Sequence, residues 1–151
     1  MASLLLLHLL GCATPFEGTW LFQVERNVAL TGDCAPDEDD SSSYSYIGTQ
    51  NFWADIYRLQ SGEYAVLLGE ALIGTAEGSA LQASWEEAYT SDDYEYRESI
   101  EFDGALEGNV LSGTITEKAS ENSGGDTYAC TSKVDYTAER TTSSPDSYPG
   151  N

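Results

Sequence analysis

Two glutamates, Glu70 and Glu87, are the residues of this chain whose type and spacing most directly suggest chemistry. Pairing outward from a turn at Gly78-Ser79 sets them opposite each other. A turn at Ser61-Gly62 puts Trp53 beside Glu70, and a loop Thr90-Ser91-Asp92-Asp93 pairs Tyr89 with Tyr94 and puts Tyr96 beside Glu87. The predicted result is an inward row of Trp53, Glu70, Glu87 and Tyr96, with Asp55 and Glu98 on neighbouring rows and Trp85, Tyr89 and Tyr94 close by. Like charges facing each other across a ladder repel, and away from water one carboxylate keeps its proton unless a cation arrives. Acids ringed by aromatic faces are what a site for an organic cation or a metal ion requires. Trp53, Asp55, Glu70, Trp85, Glu87, Tyr96 and Glu98 therefore form the candidate ligand-binding set. A bulge at Gly69 that turned Glu70 outward, or a wet rim around the row, would leave these acids merely solvated.

The elements that must position this row read as strands throughout. Phe16, Gly18, Trp20, Phe22 and Val24 alternate with Glu17, Thr19, Gln23 and Glu25, the period of a half-buried strand. Gly108-Asn109 is a two-residue hairpin signal. It sets Leu106 opposite Leu111, Gly104 opposite Gly113 and Phe102 opposite Ile115. The Gly78-Ser79 turn likewise pairs Ala76 with Leu81, Gly74 with Ala83 and Leu72 with Trp85. Ser61-Gly62 pairs Leu59 with Tyr64, Tyr57 with Val66 and Asp55 with Leu68. Even-numbered residues face inward from Tyr64 through Ala76, which predicts one long strand over 63–77 with a bend at Gly69. The last strand, over 127–139, turns Tyr128, Cys130, Val134, Tyr136 and Ala138 inward. Residues 28–43 read as an acidic loop, and 141–151 as a polar, disordered tail. No helical period interrupts this meander. The fold class is all-β: a single antiparallel up-and-down β-barrel of about eight strands over 16–140, since closure removes exposed edges. An open β-sandwich is the alternative.

The formal net charge is −20, from 26 acidic and 6 basic side chains. Such a surface repels phosphate backbones, which excludes nucleic acid as a partner. Electrostatically steered partners are cationic ligands or metal ions, although solubility alone also accounts for the charge. The acidic run Asp37-Glu38-Asp39-Asp40 lacks the glycine and terminal glutamate of an EF-hand loop and reads first as a solvated loop, second as a weak cation site. No motif implies an organic cofactor.

The start of the chain, Leu4-Leu5-Leu6-Leu7-His8-Leu9-Leu10-Gly11-Cys12, resembles the signal peptide and lipobox of bacterial lipoproteins. The apolar run is too short to span a membrane but fits a signal-peptide core, with small Gly11 at the cleavage boundary. Met1-Ala2-Ser3 departs from the pattern by carrying no basic residue. The resemblance implies removal of 1–11, acylation of Cys12, a lipid-anchored tether over 12–15 and a bacterial cell-envelope location. Ala13 is not the aspartate that marks inner-membrane retention in that family, so the implied address is the outer membrane. With Cys12 assigned to lipid, Cys34 and Cys130 remain as a disulfide pair. Cleavage would also discard His8, the only histidine. The remaining chain would then lack Ser-His-Asp and Cys-His catalysis and imidazole metal sites. Enzymatic activity is not indicated on these grounds.

Gly18-Thr19-Trp20 in the first strand resembles the Gly-x-Trp of lipocalins, and Arg140 sits where that family stacks an arginine over the tryptophan. The resemblance implies that Gly18, Trp20 and Arg140 close one barrel end, a structural role. It covers only the two ends of the domain, and no C-terminal helix pattern follows Arg140. The functional expectation is a lipid-anchored binding module for a small, hydrophobic or cationic ligand. The alternatives are a structural or surface-interaction lipoprotein with no pocket, and a carboxylate-based glycoside hydrolase, for which the required acid separation is not readable from sequence.

Overall fold

Period-two alternation gives each strand one apolar face, and here eight such strands close around that face while a ninth extends the wall on one side. The computed structural model describes residues 15–24, 29–34 and 51–141. The segment expected to be a signal peptide, Cys12, most of the expected acidic loop and the expected tail beyond Thr141 lie outside the described residues. The strands are β1 (Gly18–Val24), β2 (Ala29–Gly32), β3 (Asn51–Arg58), β4 (Tyr64–Leu68), β5 (Glu70–Glu77), β6 (Ala80–Ser91), β7 (Tyr94–Glu107), β8 (Val110–Ser123) and β9 (Asp126–Arg140). Each of β3 to β8 pairs with the next, β1 pairs with β3, and β1 with β9 completes the ring. The fold is thus the expected closed antiparallel barrel of eight strands, with β2 as an addition on β9. Among the described residues there is no helix.

The barrel interior is filled by its own side chains. Trp20, Phe22, Phe102, Ile56, Leu72, Leu81, Leu111, Val66 and Val134 are each under 2 % exposed. Phe22 stacks on Phe52 and tilts against Tyr136, which in turn stacks on Phe102. Each fully buried large side chain contributes about 1.5 to 3 kcal/mol by leaving water. Tyr136 donates its hydroxyl to the backbone carbonyl of Asp103 at 3.2 Å, so its polar tip is satisfied inside the packed core.

Two hairpins have the expected register: Leu106 faces Leu111, Gly104 faces Gly113 and Phe102 faces Ile115 across β7 and β8. Ala76 faces Leu81 and Gly74 faces Ala83 across β5 and β6, but that ladder ends at Ile73 and Ser84, one step short of Leu72 and Trp85. Four other expectations are corrected. The β3–β4 connection closes with Leu59 bonded to Glu63, making Gln60-Ser61-Gly62 the loop, with Gly62 at φ 94°. Ile56 therefore faces Val66 and Tyr57 faces Ala65, one residue off the expected pairing. A one-residue slip exchanges the faces of a strand: Ala54 and Ile56 point inward, while Trp53 and Asp55 lie on the outer wall. The stretch 63–77 is not one strand but a hairpin, β4 folding back on β5 about Gly69 at φ 93°, with Leu68 opposite Glu70. Third, β6 and β7 run on to Ser91 opposite Tyr94, so the turn is Asp92-Asp93 and Tyr89 faces Tyr96 rather than Tyr94. Ala29–Gly32, expected in a loop, forms β2 because β9 offers it a free edge.

Candidate functional site

The strands differ in length, and that difference makes a surface. β3, β4 and β5 have 8, 5 and 8 residues, whereas β6 to β9 have 12, 14, 14 and 15. The β5–β6 ladder stops at Ser84, and the β1–β9 ladder stops at Val24 and Tyr136. Beyond those rows β6, β7, β8 and β9, with β2 at the side, project past the barrel as an open sheet. The face that is inward in the barrel continues onto this sheet: Ile100 and Ser132 in its first row are still buried, and the rows beyond have no opposite wall among the described residues. Successive rows across it are Trp85, Ile100, Glu117 and Ser132, then Glu87, Glu98, Ala119 and Cys130, then Tyr89, Tyr96, Glu121 and Tyr128.

The candidate set is therefore divided. Trp85, Glu87, Tyr96 and Glu98 share this face, and Glu87 stands directly opposite Glu98. Glu70 is exposed beside the Gly69 turn, where its ladder with β6 has already ended. Asp55 is outside, accepting hydrogen bonds from the hydroxyls of Thr19 and Tyr57, and Trp53 faces Leu21 on the same outer wall. Burial and the neighbouring Asp55 raise the Tyr57 hydroxyl above its usual range. The face also carries Tyr89, Glu117, Glu121 and Tyr128, acidic and aromatic residues outside the candidate ligand-binding set. The Gly108-Asn109 register, carried further along β8, reaches Glu117 opposite Ile100 and Glu121 opposite Tyr96.

Tyr96 donates its hydroxyl to Glu98 at 2.5 Å. That bond first, and partial burial second, push the Tyr96 hydroxyl far above its ordinary value, so it stays a neutral donor. Tyr89, 58 % exposed, and Tyr128, 40 % exposed, present ring surface to solvent, and Tyr89 lies 6.2 Å from Tyr94, centroid to centroid. The cations on this sheet belong to the other side. Arg97 pairs with Glu86 at 3.3 Å and Lys118 with Glu101 at 2.5 Å, both on the outer wall. Among the described residues no group of three or more His, Cys, Asp or Glu side chains is arranged to hold a metal ion. The arrangement suits an organic ammonium or guanidinium group, which needs carboxylates and ring faces but no inner coordination shell.

The expected disulfide is present between Cys34 and Cys130. It fastens the end of β2 to the Glu87–Glu98 row through β9. At the opposite end of the barrel Trp20 is fully buried, donates its indole N–H to the Phe16 carbonyl at 2.8 Å and lies under Arg140, whose Cζ is 4.9 Å from the ring centroid. Arg140 also donates to the Pro15 carbonyl. Arg140 thus links the Trp20 ring to the backbone at Pro15. A separate concavity of about 390 Å³ lies on the outer wall, bordered by Ile73, Gln82, Ser84, Glu101 and Asp103. It opens away from the acid and aromatic face.

This geometry defines a small closed β-barrel carrying a projecting sheet with an acidic and aromatic face. Comparison with protein-family models, with curated proteins and with solved structures finds no match.

Proposed function

We propose that this chain is an exported, lipid-anchored binding module whose ligand sits on the inner face of the projecting sheet rather than inside the barrel. The observation that carries this reading is Glu87 opposite Glu98, flanked by Trp85, Tyr89 and Tyr96, on a face that no other wall covers among the described residues. The ligand it suits carries organic ammonium or guanidinium groups, held by the carboxylates and by ring faces. A filled interior argues against a small molecule enclosed within the barrel.

The anchor follows from the leucine run and Cys12, with the outer membrane as its address. Its placement is consistent with the fold. Cys12 precedes Pro15 by three positions, and Pro15 lies at the end closed by Trp20 and Arg140. The projecting sheet is at the other end, so an anchored domain would hold its binding face away from the lipid.

Two experiments test the halves of this proposal separately. Labelled fatty acid should enter the exported chain and be absent from a Cys12→Ala variant; equal labelling of both would end the anchor reading. Spermine should change the tryptophan fluorescence of the full chain in a salt-sensitive way, and a Glu87→Gln, Glu98→Gln variant should lose most of that response. Unchanged affinity in the double variant would remove the face as the binding site. A structural lipoprotein without a ligand is the second reading, favoured by the filled barrel; failure of spermine and simple alkylammonium ions to bind would support it.

A further inference from the structure

The projecting sheet has a feature besides its face. After the β5–β6 ladder ends at Ile73 and Ser84, β6 continues from Trp85 to Ser91 paired with β7 on one side and, among the described residues, with nothing on the other. Such an edge presents alternate backbone N–H and C=O groups to solvent, a template for one more strand. Glu86 to Ser91 are all exposed. The usual devices that blunt an edge are mostly missing here. Trp85 to Ser91 includes no proline and no lysine, and no residue in it has a positive φ. What the edge carries is Glu86 and Glu87.

Those two acids decide the occupant. A second copy of this chain would bring a net charge of −20 and the same glutamates to the edge, and would be repelled. A basic strand would be drawn in. Along β6, Trp85, Glu87 and Tyr89 face the inner side while Glu86, Ala88 and Thr90 face outward, so an added strand lays every second side chain over the inner face. Glu86 is engaged by Arg97 on the outer side. Glu87 makes none of the ion pairs seen among the described residues and faces Glu98.

We infer that the natural ligand is an extended polypeptide segment with basic side chains at alternate positions, which adds to the Trp85–Ser91 edge of β6 and lays those side chains across Glu87 and its aromatic neighbours. This inference rests on the proposed binding face and specifies what occupies it. Backbone pairing would supply affinity and the alternate side chains selectivity.

The test uses an eight-residue peptide alternating lysine and threonine, and the full chain. In an antiparallel strand every second N–H points to the same edge, so N-methylation of the lysine nitrogens and of the threonine nitrogens blocks opposite edges of the peptide. One isomer should bind at least tenfold more weakly than the parent and the other about equally. Amides within 85–91 should gain hydrogen-exchange protection only with peptides that bind. Equal affinity of both isomers and the parent would overturn strand addition while leaving the face reading intact, as would equal weakening of both. Binding of spermine but not of the peptide would also overturn it. If neither binds, the proposed face falls together with the inference. Glu87→Gln should weaken the parent peptide several-fold at low salt and little at high salt; no change at either would overturn the assigned register.

Discussion

Tyr96 hands its hydroxyl hydrogen to Glu98 on its own strand, and Glu98 stands across the ladder from Glu87 on the neighbouring one. One acid of the facing pair is thus fixed by a neutral donor, while the other is the more exposed of the two. Two carboxylates in such an arrangement attract a positive group more strongly than either would alone, and in its absence they weaken the ladder that carries them.

Replacing Glu87 with Gln should therefore stabilise the empty protein. Relief of a directly opposed like-charge pair is worth roughly 0.2 to 1 kcal/mol at low ionic strength. The gain should fade in high salt, where surface charges are screened. Thermal unfolding at low salt and at about 1 M salt, where the Debye length shrinks to about 3 Å, reads both effects. A destabilised variant in both buffers would show that Glu87 makes a favourable contact instead.

Alkaline pH should act through Tyr136 and Tyr96. Burial raises the Tyr136 hydroxyl, and the bond to Glu98 raises that of Tyr96. An unfolded tyrosine releases its proton near pH 10, before either folded one does. Their stabilising contribution is therefore complete below about pH 10 and is lost as pH rises toward the folded values. For Tyr136 the loss approaches about 1.4 kcal/mol per pH unit, and for the more exposed Tyr96 it is smaller because solvent screens it. Denaturant melts above pH 10 should show a shallower decline in Tyr136→Phe than in the parent. An identical slope would mean that the hydroxyl ionises in place.

Reducing the Cys34–Cys130 bond should free β2 before anything else opens. All four residues of β2 are exposed and pair only with β9, whereas β8 and β9 are paired over 14 rows. Hydrogen exchange should speed up over 29–34 while the central rows of β8 and β9 remain protected. The bond spans a sequence separation of 96, so removing it costs up to about 4 to 5 kcal/mol on the chain-entropy model. Simultaneous loss of protection everywhere would instead make the bond a requirement for the barrel itself.

Trp20 and Arg140 should differ sharply in cost. Trp20→Ala empties a fully buried site and should remove about 3 to 5 kcal/mol. Arg140→Ala gives up a cation-π contact over the ring, about 0.5 to 1 kcal/mol, together with its bond to Pro15. Urea unfolding of the two variants gives the comparison. Equal losses would mean that the guanidinium, and not the ring, holds the barrel end shut.

The barrel was legible because turns with a clear two-residue signal, Gly78-Ser79 and Gly108-Asn109, fixed the parity of most of the sheet. The Gly69 hairpin was not. A reversal centred on one residue pairs even positions with even positions, so alternation runs through it undisturbed and 63–77 looks like a single strand. At Gln60-Ser61-Gly62 the positive φ falls at the end of a three-residue loop, and reading Ser61-Gly62 as the whole turn moved Trp53 and Asp55 to the wrong face. At 90–93 the parity was right and the pairing two residues off, which kept Glu87 and Glu98 on the inner face but hid that they oppose each other. The projecting sheet could not be foreseen without knowing where β5 leaves β6, and that depends on the Gly69 hairpin.

Closing the barrel through β1 and β9 also sets how the molecule answers to pulling. The two strands are antiparallel, and their outermost pair, Trp20 with Arg140, lies where the chain enters and leaves the barrel. Tension between these points would load the five β1–β9 pairs one after another, as a zipper opens, rather than all together in shear. The ring and guanidinium at the first pair would act as the clasp. Single-molecule stretching between residues 15 and 141 should give a low opening force that falls further in Arg140→Ala, while pulling from residue 15 to the far turn at Gly124-Gly125 should require more.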